Sequence, residues 1–251
     1  MQKIRTEKLV RKYRKSTEDA TSIVVLNDID LSIEEGEFVA IMGKSGCGKT
    51  TLIKTLGLID KPSGGRVFFD GRNTAGLVDE ELSDIRRRSI GFVFQDFYLM
   101  DSLSVRENIM LPMIMDKKPS SECIKRAEAL AAHFEIEQLL DKNSYDLSGG
   151  EKQRVAISRA LVNDPEVILA DEPTGNLDTK SGRIVIDELC RINEEMGKTI
   201  AMVTHDAYMA SRCKRVILLK DGNIMEDLVK DCSREEFYKR IQSEMERLYD
   251  R

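Results

Sequence analysis

The segment GKSGCGKT, Gly43 to Thr50, decides how this chain is read. It fits G-x-x-x-x-G-K-[ST], the pattern of a phosphate-binding loop. The apolar run FVAIM precedes it and GKTTLIKTLGLI follows, so the order is strand, loop, helix. Gly43, Gly46 and Gly48 let the backbone curl until its N–H groups point inward at anionic oxygens. Lys44, Ser45 and Cys47 complete that wrap, and the helix N-terminus adds partial positive charge. Lys49 can reach the β- and γ-phosphates of a nucleotide, which places it in both binding and catalysis. The Thr50 hydroxyl can hold Mg²⁺, with Thr51 beside it. A glycine-rich turn with a chance Lys-Thr is the competing reading, and the strand–loop–helix order argues against it. Alone, the loop says only nucleotide and Mg²⁺.

Working outward, VILADEP (Val167 to Pro173) is an apolar strand ending in two carboxylates. Its composition suits a strand buried on both faces of a parallel sheet. Ligands bind at the C-terminal ends of such strands. Asp171 is therefore expected to contact Mg²⁺, through water, and Glu172 to polarise an attacking water as general base. Either carboxylate alone could merely cap the loop, but a pair accompanying a phosphate loop is harder to dismiss. His205 closes a second apolar strand, TIAMVTH, and Gln95 closes IGFVFQ. His205 could bond the γ-phosphate and orient the water; Gln95 could touch Mg²⁺ or the water. A structural histidine and a polar strand-end cap are the plainer alternatives.

Strand-like and helix-like stretches alternate along the chain. VVLNDIDLSI, EFVAIMG, GRVFFDG and IGFVFQ read as strands. From about residue 96 to 143 the pattern turns mostly helical. SSECIKRAEALAAHF begins with serines that could cap, and its spacing sets Ile124, Ala127, Leu130, Ala131 and Phe134 on one face. Strand–helix alternation then returns with EVILADE, SGRIVIDELCRIN, TIAMVTH and RVILLKDG. The organisation is α/β: a mixed core interrupted by a helical insert. In SREEFYKRIQSEMERLY, Ser233 and Glu236 have capping-box spacing, and Phe237, Ile241, Met245 and Leu248 recur at helical spacing. That predicts a last helix packed on the domain.

The 251 residues are 41% hydrophobic and 33% charged, with a net charge of −5, enough to bury a core and too acidic to suggest nucleic-acid binding. No apolar run approaches the roughly 18 residues that span a bilayer. The N-terminus has no apolar h-region, so no signal peptide is expected. Five scattered cysteines without a CxxC read as free thiols. Cys47 lies near Lys49 and a helix N-terminus, which should lower its pKa and make it reactive, with ATP protecting it; otherwise it fills a small-residue slot.

A further stretch, LSGGEKQR (Leu147 to Arg154), places a bare Ser-Gly-Gly turn before a helix far from the phosphate loop. A hydroxyl, exposed N–H groups and a helix N-terminus make a second anion site without a lysine. Taken in order, GKSGCGKTT, Gln95, LSGGEKQR, VILADEP, GNLD and His205 resemble the ATP-binding-cassette (ABC) transporter ATPases over roughly residues 8–222. LSGGEKQR is the most specific of these motifs. Position 151 is Glu, where many members have Gln.

The resemblance implies a P-loop NTPase cassette with a RecA-like mixed-sheet core, an antiparallel β subdomain and an inserted α-helical subdomain at about 96–160. Residues 1–230 would form the ATPase domain and 231–251 a C-terminal helical tail. It implies that two copies pair head to tail across ATP, as C2 symmetry allows. Ser148, Gly149 and Gly150 of one copy would then meet the γ-phosphate held by the other. It further implies that Asp178, in GNLD, couples the two sites, and that Tyr13 stacks on adenine.

Three stretches, GFVFQDFYLMDSLSVRENIMLP, LADEPTGNLDTKS and MVTHDAYMASRCKRVILLKDG, are similar to ATPases of the bacitracin-efflux, antimicrobial-peptide-resistance type. That likeness implies ATP hydrolysis with Mg²⁺ at the cytoplasmic face of the plasma membrane. It implies a separate transmembrane permease, with a sensor kinase reached through it. Phe97, Tyr98, Leu99 and Met100 would suit a groove for a permease helix, or ordinary core. Cassettes of macrolide-export, lipoprotein-release or cell-division complexes are the alternatives.

Overall fold

The computed structural model describes residues 1–14 and 22–249. Residues 15–21 of the expected ATPase domain and 250–251 of the expected tail lie outside them. Six strands form the central sheet: β3 (Phe38–Met42), β6 (Ile90–Phe94), β7 (Val167–Asp171), β8 (Thr199–Val203), β9 (Arg215–Lys220) and β10 (Asn223–Val229). Their order is β10-β9-β3-β8-β7-β6. All neighbours run parallel except β9 and β10, which form an antiparallel hairpin.

β3 and β8 are buried at every residue, as expected of parallel strands covered on both faces. Their side chains still alternate between two cores. Phe38, Ala40 and Met42 face one; Val39 and Ile41 face the other. The second core joins the sheet to α1 (Lys49–Leu56) through Leu52, Ile53 and Leu56. An antiparallel sheet roofs that side, in the order β2 (Ser22–Glu34), β1 (Gln2–Arg14), β4 (Gly64–Phe69), β5 (Arg72–Asn73). The buried Lys3 ammonium ties the roof to the parallel sheet, donating to Asp70 at 3.0 Å and to Glu166.

The first core holds the helical insert: α3 (Val105–Met115), α4 (Ser120–His133) and α5 (Gly149–Leu161). α4 differs from expectation in two ways. Its N-cap is Pro119, with no side-chain cap, so the serines lie inside the first turn. Its core face is Cys123, Ala127, Leu130 and Ala131, followed by Phe134, whereas Ile124 is 40% exposed. Positions 123, 127, 130, 131 and 134 follow helical spacing more closely than a set starting at 124.

Helix α2 (Asp79–Arg88), the four-residue α7 (Ala207–Ala210) and strands β5 and β10 lie in stretches whose apolar pattern is too short or too charged to announce them. Between β7 and β8 runs α6 (Thr179–Met196), and the chain closes with α8 (Arg234–Tyr249). Ser233 and Glu236 exchange the hydrogen bonds of a capping box at the start of α8. Phe237 and Ile241 are fully buried in the first core, and Met245 and Leu248 pack against it.

The register of the sheet builds the site. Ile41 pairs with Val203, Val203 with Asp171, and Asp171 with Phe94. Four parallel strands therefore end on one line, and the residues just beyond them are Gly43, Thr204–His205, Glu172 and Gln95.

Candidate functional site

The phosphate loop leaves β3 and turns into α1 through two left-handed glycines, Gly46 (φ 81°) and Gly48 (φ 106°). A Cβ on Gly48 would stand 2.8 Å from the Val25 carbonyl oxygen, so the position admits no side chain. The Lys49 ammonium donates to the carbonyls of Gly43 (2.9 Å) and Lys44 (3.1 Å). The loop rests on the two-residue Asp221–Gly222 turn of the β9–β10 hairpin. Gly222 N–H donates to the Cys47 carbonyl at 3.1 Å, and Asn27 N–H to the Gly222 carbonyl at 2.8 Å. Both turn residues have positive φ, as such hairpins require. A cavity of about 190 Å³ opens over the loop, lined by Ser45, Gly46, Gly48, Lys49, Thr50 and Thr51 with Val25 and Glu172.

Thr50 Oγ1 donates to Asp171 Oδ1 at 3.2 Å, bringing the helix start to the end of β7. Burial pushes the Asp171 carboxyl above its ordinary range, and the adjacent Glu172 charge adds to the shift. A hydroxyl beside a carboxylate is a hard-oxygen pair suited to Mg²⁺, which takes few protein ligands and keeps water and phosphate oxygens. Among the described residues no cluster of three or more His, Cys, Asp or Glu could cage a metal. The donor set thus fits an ion shared with a nucleotide.

Glu172 follows in the left-handed region, φ 47°, with its N–H bonded to the Val203 carbonyl at 3.0 Å. Such a conformation costs on the order of 1 kcal/mol or more and is held by its surroundings. It turns the carboxylate toward His205, whose Nδ1 lies 3.1 Å from Glu172 Oε2. Gln95 Nε2 donates to Asn176 Oδ1 (3.1 Å), and Asn176 Nδ2 donates to the Gln95 carbonyl (3.1 Å).

The remaining motif residues stand apart. Ser148 caps α5 in a full capping box with Glu151. The Ser148 hydroxyl holds the Glu151 carboxyl below its ordinary range. A Cβ on Gly149 would lie 3.1 Å from Leu177, and one on Gly150 3.3 Å from Ser181 Oγ. None of the three lines the cavity over the chain's own phosphate loop. Asp178 caps α6, accepting from Lys180 N–H and Ser181 N–H, and the Ser181 hydroxyl lowers its pKa. Tyr13 is part of β1, opposite Ile23. Its hydroxyl meets Asp60, and the Arg11 guanidinium sits 4.5 Å from its ring centre.

The expected reactivity of Cys47 is corrected. Its side chain points into the core beside α1 and is 6% exposed. Burial pushes the thiol up, outweighing the attraction of Lys49.

Sequence reasoning missed several groups that shape the site: Val25, Asn176, Gly222, and two side chains of α5. Buried Gln153 donates from Nε2 to the Pro173 carbonyl at 2.6 Å, just past Glu172. Arg159 donates to the carbonyls of Phe97 and Tyr98. No local signal announces these contacts, because each partner is distant in sequence.

A strand, phosphate loop and helix, with acid, histidine and glutamine closing the neighbouring parallel strands, define a P-loop nucleotide hydrolase. The chain belongs to the ABC transporter family, whose model matches residues 26–175. It is 46% identical over 241 residues to the uncharacterized ABC transporter ATP-binding protein YvcR of Bacillus subtilis, covering 96% of this chain and 93% of that one. To the bacitracin export ATP-binding protein BceA of Halalkalibacterium halodurans it is 44% identical over 218 residues, 86% of each chain. The dimeric post-hydrolysis structure of the ATP-binding cassette MJ0796 bound to ADP and Pi superposes with a TM-score of 0.83 at 42% identity, covering 90% of this chain and 98% of that one. The chain is an ATP-binding cassette with ATPase activity.

Proposed function

We propose that this cassette powers a separate transmembrane permease that confers resistance to antimicrobial peptides of the bacitracin kind. The observation that carries its hydrolytic half is the line of strand ends on which Gly43, His205, Glu172 and Gln95 follow neighbouring parallel strands. The loop amides from Gly43 to Thr51 and the Lys49 ammonium hold the ATP phosphates, and Tyr13 stacks on adenine. Thr50, Asp171 and Gln95 hold Mg²⁺, which supplies charge neutralisation on the phosphates. Glu172 accepts a proton from the attacking water as the new P–O bond forms and the bond to ADP breaks. His205 fixes the Glu172 carboxylate and contacts the γ-phosphate.

A second copy completes each site. Ser148 is exposed and Gly149 and Gly150 are half-buried, none of them lines the cavity over their own phosphate loop, and α5 begins there with its positive end. Head-to-tail pairing sets them on the partner's γ-phosphate, with Asp178 between the sites. MJ0796, 42% identical, is described as dimeric.

The permease reading draws on a groove of about 320 Å³ lined by Phe94, Tyr98, Leu111, Pro112, Arg159 and Asn163, among others. Tyr98, Met100, Ile114 and Met115 are exposed large apolar side chains of the same insert. Flexible, apolar side chains suit a helix from a partner. Among the described residues no helix is long and apolar enough to cross a membrane. The cassette would then work at the cytoplasmic face of the plasma membrane, and a sensor kinase would join through the permease. The likeness to BceA supports the peptide reading.

The test is to purify the tagged chain from native membranes with what it binds, then add bacitracin-like peptides. A large permease with an extracellular domain, and faster ATP turnover with peptide, support the reading. A small four-span partner moves the chain to macrolide export, lipoprotein release or cell division; no membrane partner overturns transport.

A further inference from the structure

Directly after Gln95 the backbone does something costly. Phe97 (φ 61°) and Tyr98 (φ 46°) are consecutive, are not glycines, and both stand in the left-handed region. L-residues visit that region singly and at a cost, so an unsupported loop would relax out of it. Two backbone bonds support the kink, Phe97 N–H to the Phe94 carbonyl (3.2 Å) and Tyr98 N–H to the Asp96 carbonyl (2.6 Å), and a side chain from α5 braces it from outside the loop. Arg159 Nη2 donates to the Phe97 carbonyl at 2.6 Å and Nη1 to the Tyr98 carbonyl. Among the described residues the Arg159 guanidinium makes no ion pair, and its hydrogen bonds go to the two carbonyls of the kink. The Tyr98 ring then packs edge-on against Phe94, 5.1 Å between centres.

The segment is gripped at its other end too. Asn176 Nδ2 donates to the Asp96 carboxylate at 2.9 Å and to the Gln95 carbonyl. Asn176 therefore holds Gln95 itself, through the Gln95 carbonyl and side-chain amide, while Arg159 holds the two carbonyls that follow Asp96. The Phe97 ring comes within 4.0 Å of where a Cβ on Gly149 would stand. The same helix that Ser148 caps thus carries the guanidinium that shapes the Gln95 loop.

We propose that Arg159 is a positioning residue for ATP hydrolysis, locking the Phe97–Tyr98 kink and so fixing where the Gln95 side chain stands. This rests on Gln95 acting at the hydrolytic centre. The planar fork of arginine matches two neighbouring carbonyls, whereas lysine offers a single pivoting ammonium. Arg159→Lys should therefore restore only part of the function.

The experiment is steady-state ATP hydrolysis by the full chain carrying Arg159→Gln, Arg159→Lys, Gln95→Ala, and each Arg159 change combined with Gln95→Ala. Arg159→Gln should lower kcat about tenfold or more while KM for ATP moves less than about twofold, since the phosphate loop is untouched. Arg159→Lys should fall between. In the Gln95→Ala background, Arg159→Gln should cost less than about twofold, because both changes act on one element. A merely structural arginine would lower the melting temperature and multiply its effect with that of Gln95→Ala. Multiplying effects, or wild-type kcat in Arg159→Gln, overturn the proposal while leaving Gln95 in place. An unaltered kcat in Gln95→Ala overturns both. If Arg159→Gln fails to fold, the same cycle with Arg159→Lys decides.

Discussion

His205 Nδ1 and Glu172 Oε2 stand 3.1 Å apart at the ends of adjacent parallel strands, β8 and β7. The imidazole holds the carboxylate that faces the phosphate-loop cavity. Glu172→Gln keeps the shape and removes the carboxylate proposed as the base. It should lower kcat by about 10² to 10⁴ while ATP still binds. His205→Ala should also lower kcat with ATP affinity retained. Turnover and nucleotide titration on the same samples check both; near-normal turnover in Glu172→Gln removes it as general base.

Gly48 combines φ 106° with a backbone oxygen 2.8 Å from its absent Cβ. Gly48→Ala should destabilise the fold by about 1–3 kcal/mol and weaken ATP binding, because the loop must shift away from Val25. Denaturant midpoints and nucleotide binding measure the two effects. An unchanged midpoint would mean that the loop gives way freely.

The capping box at α5 carries a pH dependence. Glu151 is held below its ordinary value of 4.5 by the Ser148 hydroxyl and N–H, so the folded chain binds its proton less readily than the unfolded chain. Its contribution is present above pH 4.5 and is lost as pH falls through the lower folded value. For so solvated a group it amounts to about 0.5 kcal/mol or less. Glu151→Gln should be slightly less stable at pH 7 and converge with the parent as pH falls through the lowered folded value of Glu151. The same change removes a negative charge beside the proposed Ser-Gly-Gly anion site, so ATP-dependent dimerisation should tighten. Urea unfolding at several pH values and light scattering with ATP read these outcomes.

Cys47 should be alkylated more slowly than Cys232, the one cysteine of the five that is not buried. Its raised pKa and burial both limit thiolate exposure. Mass spectrometry of a timed maleimide reaction decides, and rapid ATP-sensitive labelling of Cys47 would restore the reactive-thiol expectation.

The last helix belongs to the core energetically. Phe237 is fully buried among residues of the sheet and of α7, so Phe237→Ala should cost about 3–5 kcal/mol. Thermal and denaturant unfolding test it. A loss under about 1 kcal/mol would make α8 a loosely attached tail.

Much of the candidate site was legible because its residues announce themselves locally. Thr50 follows a glycine loop, Asp171 and Glu172 end an apolar run, and His205 and Gln95 end two more. Ser233 and Glu236 spell a cap within four residues. The misreadings have equally local causes. The buried face of α4 starts at Cys123 instead of Ile124, because alanines and a small thiol blur the edge of an apolar stripe. The sequence neighbours of Cys47 suggest a reactive thiolate, while its chemistry is governed by the core it enters.

The sequence by itself determined the phosphate loop, the acids and histidine at strand ends, the helical insert and the capped last helix. Each depends on residue type and spacing within a few positions, where backbone geometry and side-chain chemistry act directly. Only the tertiary structure decided that β8 lies between β3 and β7, that Gly222 props the phosphate loop, and that Gln153 and Arg159 of α5 grip the loops after Glu172 and Gln95. Strands buried on both faces carry no alternation to reveal their neighbours. Contacts between residues many tens of positions apart exist only once the two cores have closed on either side of the sheet.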